Sequence, residues 1–250
     1  MMKKTLICVL FFCLTAFLME AQEMSIRLKD GSDDRYKSNL IDYVDFSEKG
    51  NSGVHECVDL GLPSGLKWAT CNIGANAPEE YGEYYAWAEL ETKHMYDQYH
   101  YSFFSLKQDD IFSHGYGEIE ALGGDISETK YDVAHLLWGE NWRLPTREEF
   151  SELTLYCSWF WTSINNVYGY EITGTNGNKI FLPATGLRIA SAKFYKNNGG
   201  NYWSSTPLEY SNHLDEAYHL YFYRDDYSGN DIKTDSYFKY YGMTIRPVKR

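Results

Sequence analysis

The acidic pair Glu148-Glu149, the histidines, three internal cysteines and the run RDDYSGNDIKTD (224–235) are where this sequence could do chemistry. Two adjacent carboxylates suggest acid–base work. On a helix start their side chains diverge, however, and capping plus the helix dipole accounts for them. His94, His100, His114, His213 and His219 are scattered without the spacing of a zinc site, as surface histidines are. Asp225, Asp226, Asn230 and Asp231 could offer a calcium ion several oxygens. Their spacing is not that of an EF-hand, and a solvated acidic loop explains the same residues. Gly-x-Ser-x-Gly, His-Glu-x-x-His and glycine-rich phosphate motifs are absent. The expectation is a non-enzyme with no catalytic residue, metal or cofactor.

Tyrosine is the other conspicuous chemistry. The chain holds 23 tyrosines and is 17% aromatic, beside a mean hydropathy of -0.49. That is more tyrosine than a core readily satisfies, because each buried hydroxyl wants a partner. Along EAYHLYFY (216–223), Tyr218, Leu220 and Phe222 share one strand face, and Ala217, His219, Tyr221 and Tyr223 the other. The first set suits a core, which predicts that His219, Tyr221 and Tyr223 point outward. The following loop adds Asp225, Asp226, Tyr227 and Asn230, and the next strand Tyr237, Tyr240 and Tyr241. Tyr mixed with Asn, Asp and Ser combines rigid contact area with adaptable hydrogen bonding, as antibody paratopes do. Stacked tyrosines with carboxylates also suit sugar rings. These residues form the candidate ligand-binding set, for a glycan or a protein; the alternative is that half of the tyrosines merely cover the sheet.

The elements that must position this set follow from the pattern. Residues 1–21, with Lys3 and Lys4 ahead of the apolar run Thr5 to Met19 and Ala21 at the cut, read as a secretory signal peptide. Export to the periplasm, the cell surface or the medium is expected, with no membrane span in the mature chain. Residues 22–47 read as a β-hairpin in which Ile26 and Leu28 alternate with polar neighbours, Gly31-Ser32-Asp33 turns, and Leu40 to Phe46 returns. Residues 48–54 read as a linker and 55–250 as the main domain. Within it, strands are expected near 56–60 and through Lys67 to Cys71, and one with aromatic faces over Glu83 to Glu89. Residues 91–130 read as a long, partly ordered insertion. Asp132 to Trp138 is a short helix closed by Gly139. Pro145 ends an extended run, Thr146 can cap a second helix, and Glu149 stands at the third helical position for a capping box. Phe150, Leu153 and Cys157 recur on one face of that helix. Trp159 to Thr162 reads as a strand, and a hairpin turns across Thr175-Asn176-Gly177-Asn178. NYWSST, EAYHLYFY and YYGMTIRPV supply three more strands. The class is α+β, with Trp68, Trp87 and Trp203 as packing residues.

The formal charge of -12 does not suit nucleic acid or anionic membranes. Once Cys8 and Cys13 leave with the signal peptide, Cys57, Cys71 and Cys157 remain, an odd number that allows at most one internal bridge. The favoured pair is Cys71 and Cys157, and the alternative is three buried thiols.

Six stretches occur in a characteristic order: VDLGLPSGLKWATCNIGA (58–75), EEYGEYYAWAE (79–89), NWRLPTREEF (141–150), GYEITGTNGNKIFLPATG (169–186), NYWSST (201–206) and GMTIRPV (242–248). Together they resemble the Fibrobacter succinogenes major paralogous domain family of the C-type lectin-like superfamily, over residues 55–250. The resemblance implies a C-type lectin-like fold whose N- and C-terminal strands pair. Its long loops and final strands would form one ligand-bearing face. Formylglycine-generating enzymes share the superfamily, but their chemistry needs a late cysteine pair, and this chain has no cysteine after Cys157. The Glu-Pro-Asn, Gln-Pro-Asp and Trp-Asn-Asp triplets of calcium-dependent sugar-binding lectins are also missing. The implied function is an exported ligand-binding module. A structural part of a cell-surface assembly is the alternative, and an unrecognised hydrolase the remote one.

Overall fold

The computed structural model describes residues 55–103, 124–139, 141–208, 215–224 and 231–250, and the backbone of 23–27 and 33–37. The chain divides into two compact units, Met1–Asn51 and Ser52–Arg250. In the first, β1 (Glu23–Arg27) and β2 (Asp33–Lys37) pair antiparallel, Glu23 opposite Lys37 and Arg27 opposite Asp33. The return strand is therefore Asp33–Lys37; the expected strand Leu40 to Phe46 lies outside the described residues, as does the signal segment 1–21.

The second unit is an α+β body of short antiparallel sheets with two helices. β3 (Cys57–Asp59), β4 (Lys67–Ala69) and β13 (Val248–Lys249) form one sheet in the order β13-β4-β3, which places the last strand beside the first part of the domain. Helix α1 (Val133–Trp138) starts on Asp132, whose carboxylate accepts from the amides of Ala134 and His135, and ends at Gly139. Helix α2 (Arg147–Tyr156) carries the expected capping box. Glu149 N–H donates to Thr146 Oγ1 at 3.3 Å, and Thr146 N–H donates to Glu149 Oε2 at 2.8 Å. The apolar spacing then buries Phe150 and Leu153 and leaves Cys157 half-buried at the helix end.

β5 (Ser158–Ile164), β6 (Val167–Thr173) and β7 (Lys179–Pro183) form a meander, the last two joined across the Asn176-Gly177 turn. β8 (Leu187–Ile189) and β9 (Ala192–Phe194) make a small hairpin that the sequence reading did not anticipate. β10 (Gly199–Pro207), β11 (Glu216–Tyr223) and β12 (Asp231–Phe238) form the sheet that matters most for function.

β10 is buried on both faces, and successive side chains enter different cores. Tyr202 joins Trp68, Phe150, Leu153, Tyr170, Leu220 and Phe222. Trp203 joins Trp87, Tyr96, Leu187, Met243 and Ile245. Several of the buried rings donate from their polar tips to carbonyl oxygens, although Trp68 Nε1 and the Tyr170 hydroxyl have no partner among the described residues. Trp203 donates to Tyr85 at 2.9 Å, Trp87 to Ser204 at 2.9 Å, Tyr202 to Pro183 at 2.6 Å and Tyr84 to Thr185 at 2.6 Å. The interior therefore satisfies more tyrosine than composition alone suggested.

Three expectations are corrected. Glu83 to Glu89 is not a strand: its amides are taken singly, Tyr85 by the Met243 carbonyl and Trp87 by that of Lys239, and Ala88 turns the chain at φ 65°. YYGMTIRPV likewise is mostly isolated bridges, with a strand only at Val248–Lys249. The Cys71–Cys157 bridge is not formed, and all three cysteines are free thiols. Cys71 follows β4 with its sulfur 3.6 Å from Thr70 Oγ1, whereas Cys157 caps α2 and packs on the Tyr202 core. Cys157 is also held protonated, its thiol pushed up to about 11 by burial and by Glu152.

Candidate functional site

Register across β10, β11 and β12 decides which side chains meet. Asn201 stands opposite Tyr221, Trp203 opposite His219, and Gly199 opposite Tyr223. On the other side of β11, Tyr223 faces Asp231, Tyr221 faces Lys233, His219 faces Asp235 and Ala217 faces Tyr237. Facing residues in an antiparallel pair share a side of the sheet. Asn201, His219, Tyr221, Tyr223, Asp231, Lys233, Asp235 and Tyr237 therefore share one surface. On the reverse side Leu220, Phe222 and Ile232 pack into the core that holds α2.

This surface is the floor of an open cleft of about 530 Å³, with Leu187, Tyr195 and Ser236 completing its lining. Tyr195 arrives from the turn after β9, at φ 57°, and meets Tyr223 edge to face with ring centres 5.7 Å apart. That approach depends on Gly186. Its amide donates to the Gly199 carbonyl at 2.7 Å, its φ is +67°, and a Cβ there would lie 2.0 Å from the Phe194 carbonyl oxygen.

Charge in the cleft is mixed. Lys233 Nζ lies 3.1 Å from Asp231 and 3.9 Å from Asp235, and 5.8 Å from the centre of the Tyr221 ring. The Asp231 hydrogen bond and charge raise the Lys233 pKa above its ordinary value. Burial raises the Tyr221 hydroxyl, and the nearby Asp231 adds to the shift.

His219, expected to point outward, does face this surface but is only 4% exposed. Trp203 and Tyr237 flank it, each with ring centres 6.0 Å away. Desolvation pulls its pKa down to about 4, against a partial offset from Asp235. Tyr221, Tyr223 and Tyr237 line the cleft. Tyr240 and Tyr241 do not. Tyr240 stacks on Phe238, centres 5.1 Å apart, Tyr241 meets Tyr237 with centres 4.9 Å apart, and Tyr240 and Tyr241 both pack against the core that holds Trp203. Asp225, Asp226, Tyr227 and Asn230 lie outside the described residues.

Sequence reasoning missed Leu187, Tyr195, Asn201, Lys233, Asp235 and Ser236. For β12 the signal was available: DIKTDSYF alternates Ile232, Thr234, Ser236 and Phe238 with Asp231, Lys233, Asp235 and Tyr237. The acidic residues made the segment look like a solvated loop, but Asp231 opens a strand and pairs with Lys233. Among the described residues no cluster of three or more His, Cys, Asp or Glu could hold a metal. No helix among them is long and apolar enough to cross a membrane. Of the acidic pair at 148–149, Glu149 has a structural role, since it also accepts from Arg143 at 2.8 and 2.5 Å.

Comparison with protein-family models, with curated proteins and with solved structures returns no match.

Proposed function

We propose that this chain is an exported, non-enzymatic binding module of C-type lectin-like fold that recognises a glycan or a protein through the cleft on β10–β12. The observation that carries the reading is the register of that sheet. One side is committed to the core, while the other gathers tyrosines, an amide, an imidazole and three charged residues around one concavity. Large rings of low conformational entropy beside short polar groups are what a recognition surface needs. The pairing of β13 with β4 and the six ordered sequence stretches support the fold assignment. The apolar leader at residues 5–19 supports export.

A glycan and protein array probed with the chain from residue 22 onward tests the reading. Tyr221→Ala/Tyr223→Ala is expected to abolish the strongest signal while leaving a cooperative melting transition, because both rings are partly exposed at the sheet surface. Unaltered binding by that variant would remove the cleft as the site.

A further inference from the structure

Two polar atoms in the floor of the cleft are buried without a bond. Asn201 Nδ2 and His219 Nδ1 have no hydrogen-bond partner among the described residues. Their residues are 3% and 4% exposed, and both line the cavity. A buried polar atom left unpaired is costly, about 1–3 kcal/mol for an ordinary group, so native proteins rarely keep two side by side without a use.

The two residues are diagonal neighbours across β10 and β11, because Asn201 faces Tyr221 while His219 faces Trp203. Such diagonals place Cα atoms roughly 7–8 Å apart. Their chemistry is complementary. The amide nitrogen can only donate. The imidazole is neutral at pH 7, with burial holding its pKa near about 4, so one of its two nitrogens carries a lone pair. With the proton on Nε2, the unpartnered Nδ1 is that acceptor.

A donor beside an acceptor is matched by a hydroxyl, which accepts and donates from one oxygen. A carboxylate or phosphate would leave the imidazole lone pair unmatched, and Asp231 and Asp235 at the cleft edge oppose anions. An ammonium would leave the amide unmatched. Around this pair the exposed faces of Tyr195, Tyr221 and Tyr223 offer apolar platforms against which a ring can lie.

We propose that Asn201 and His219 form a hydroxyl-reading subsite for a neutral pyranose sugar, an inference that rests on the cleft being the ligand site. One hydroxyl, or two neighbouring ones, accepts from Asn201 Nδ2 and donates to His219 Nδ1, while a tyrosine ring covers a sugar face.

The test uses the full exported chain labelled with ¹⁵N at histidine, titrated with a panel of methyl pyranosides of gluco, galacto and manno configuration. The expected result is saturable binding of at least one pyranoside, with a matching shift of the His219 Nδ1 resonance. Asn201→Leu is expected to weaken that binding about tenfold, one hydrogen bond's worth. The titration of the unaltered chain stands even if that variant folds poorly.

Several outcomes overturn the proposal. A pyranoside that binds in a Tyr221-dependent way without moving the Nδ1 resonance leaves the cleft as the site but removes the subsite. A resonance already in its hydrogen-bonded position without sugar, and unmoved by it, means a resident water. Array signals confined to proteins reject a sugar and keep the cleft, whereas no Tyr221-dependent signal of any kind removes both readings.

Discussion

His219 and Asp235 stand opposite one another across β11 and β12, yet the imidazole is buried while the carboxylate side chain is 58% exposed. Desolvation prevails over the attraction, and the imidazole pKa falls from 6.5 to about 4. The native state thus favours the neutral ring, and the unfolded chain takes up its proton first as pH falls. This contribution is complete above pH 6.5, declines as pH falls from there towards 4, and is lost below. Its size is on the order of 3 kcal/mol. Between pH 7 and pH 4.5, urea unfolding should show the natural chain losing more stability than His219→Phe, by about 2–3 kcal/mol. Equal losses in the two would refute the assignment.

Arg246 is buried completely, without a carboxylate partner among the described residues. Its guanidinium donates to Asn72 Oδ1 at 2.8 Å, to the carbonyls of Ala69 and Thr70 at 2.9 and 2.8 Å, and to that of Phe181 at 3.0 Å. Burial lowers its pKa to about 10, so it remains charged at neutral pH. Arg246→Leu strands these acceptors and is expected to cost on the order of 3–5 kcal/mol. Calorimetry should record a fall in Tm of roughly 10 °C. Arg246→Lys, lacking the fork, should recover little of it.

The start of α2 separates a local effect from a tertiary one. Thr146→Ala removes only the cap and should cost about 1 kcal/mol. Glu149→Ala also strips the bidentate partner from buried Arg143, so it should cost more, about 3 kcal/mol. Denaturant midpoints of the two variants check the order; equal losses would mean the Arg143 contact contributes nothing.

The thiols give a direct covalent readout. Alkylation under denaturing, non-reducing conditions should modify Cys57, Cys71 and Cys157 alike, as seen in peptide masses. A peptide pair joined through Cys71 and Cys157 would contradict the structure. In the folded protein at pH 8, Cys157 should be alkylated only slowly, because its thiol is held protonated.

What could be read from sequence was chemistry confined to a few neighbouring residues. Asp132, Gly139, Thr146 with Glu149, and the Asn176-Gly177 turn all fall where expected, because a cap or a tight turn is decided within about four positions. The outward set on β11 was visible for the same reason, as strand periodicity. Burial of His219 was not, because Trp203 and Tyr237 reach it from neighbouring strands. Tyr195 and Leu187 enter the cleft through the tight approach at Gly186, which no short window of sequence reveals. β12 was hidden by composition: aspartate and lysine disfavour strands on average, and alternation was the better guide.

The pairing of β13 with β4 puts Val248 opposite Trp68, some 180 residues earlier in the chain. A contact of such long range cannot form until the whole stretch between its partners has been made. During synthesis the Trp68 core therefore stays open until residue 248 is available. The same delay leaves aromatic surface uncovered for longer, in the interval when a chain is most open to aggregation.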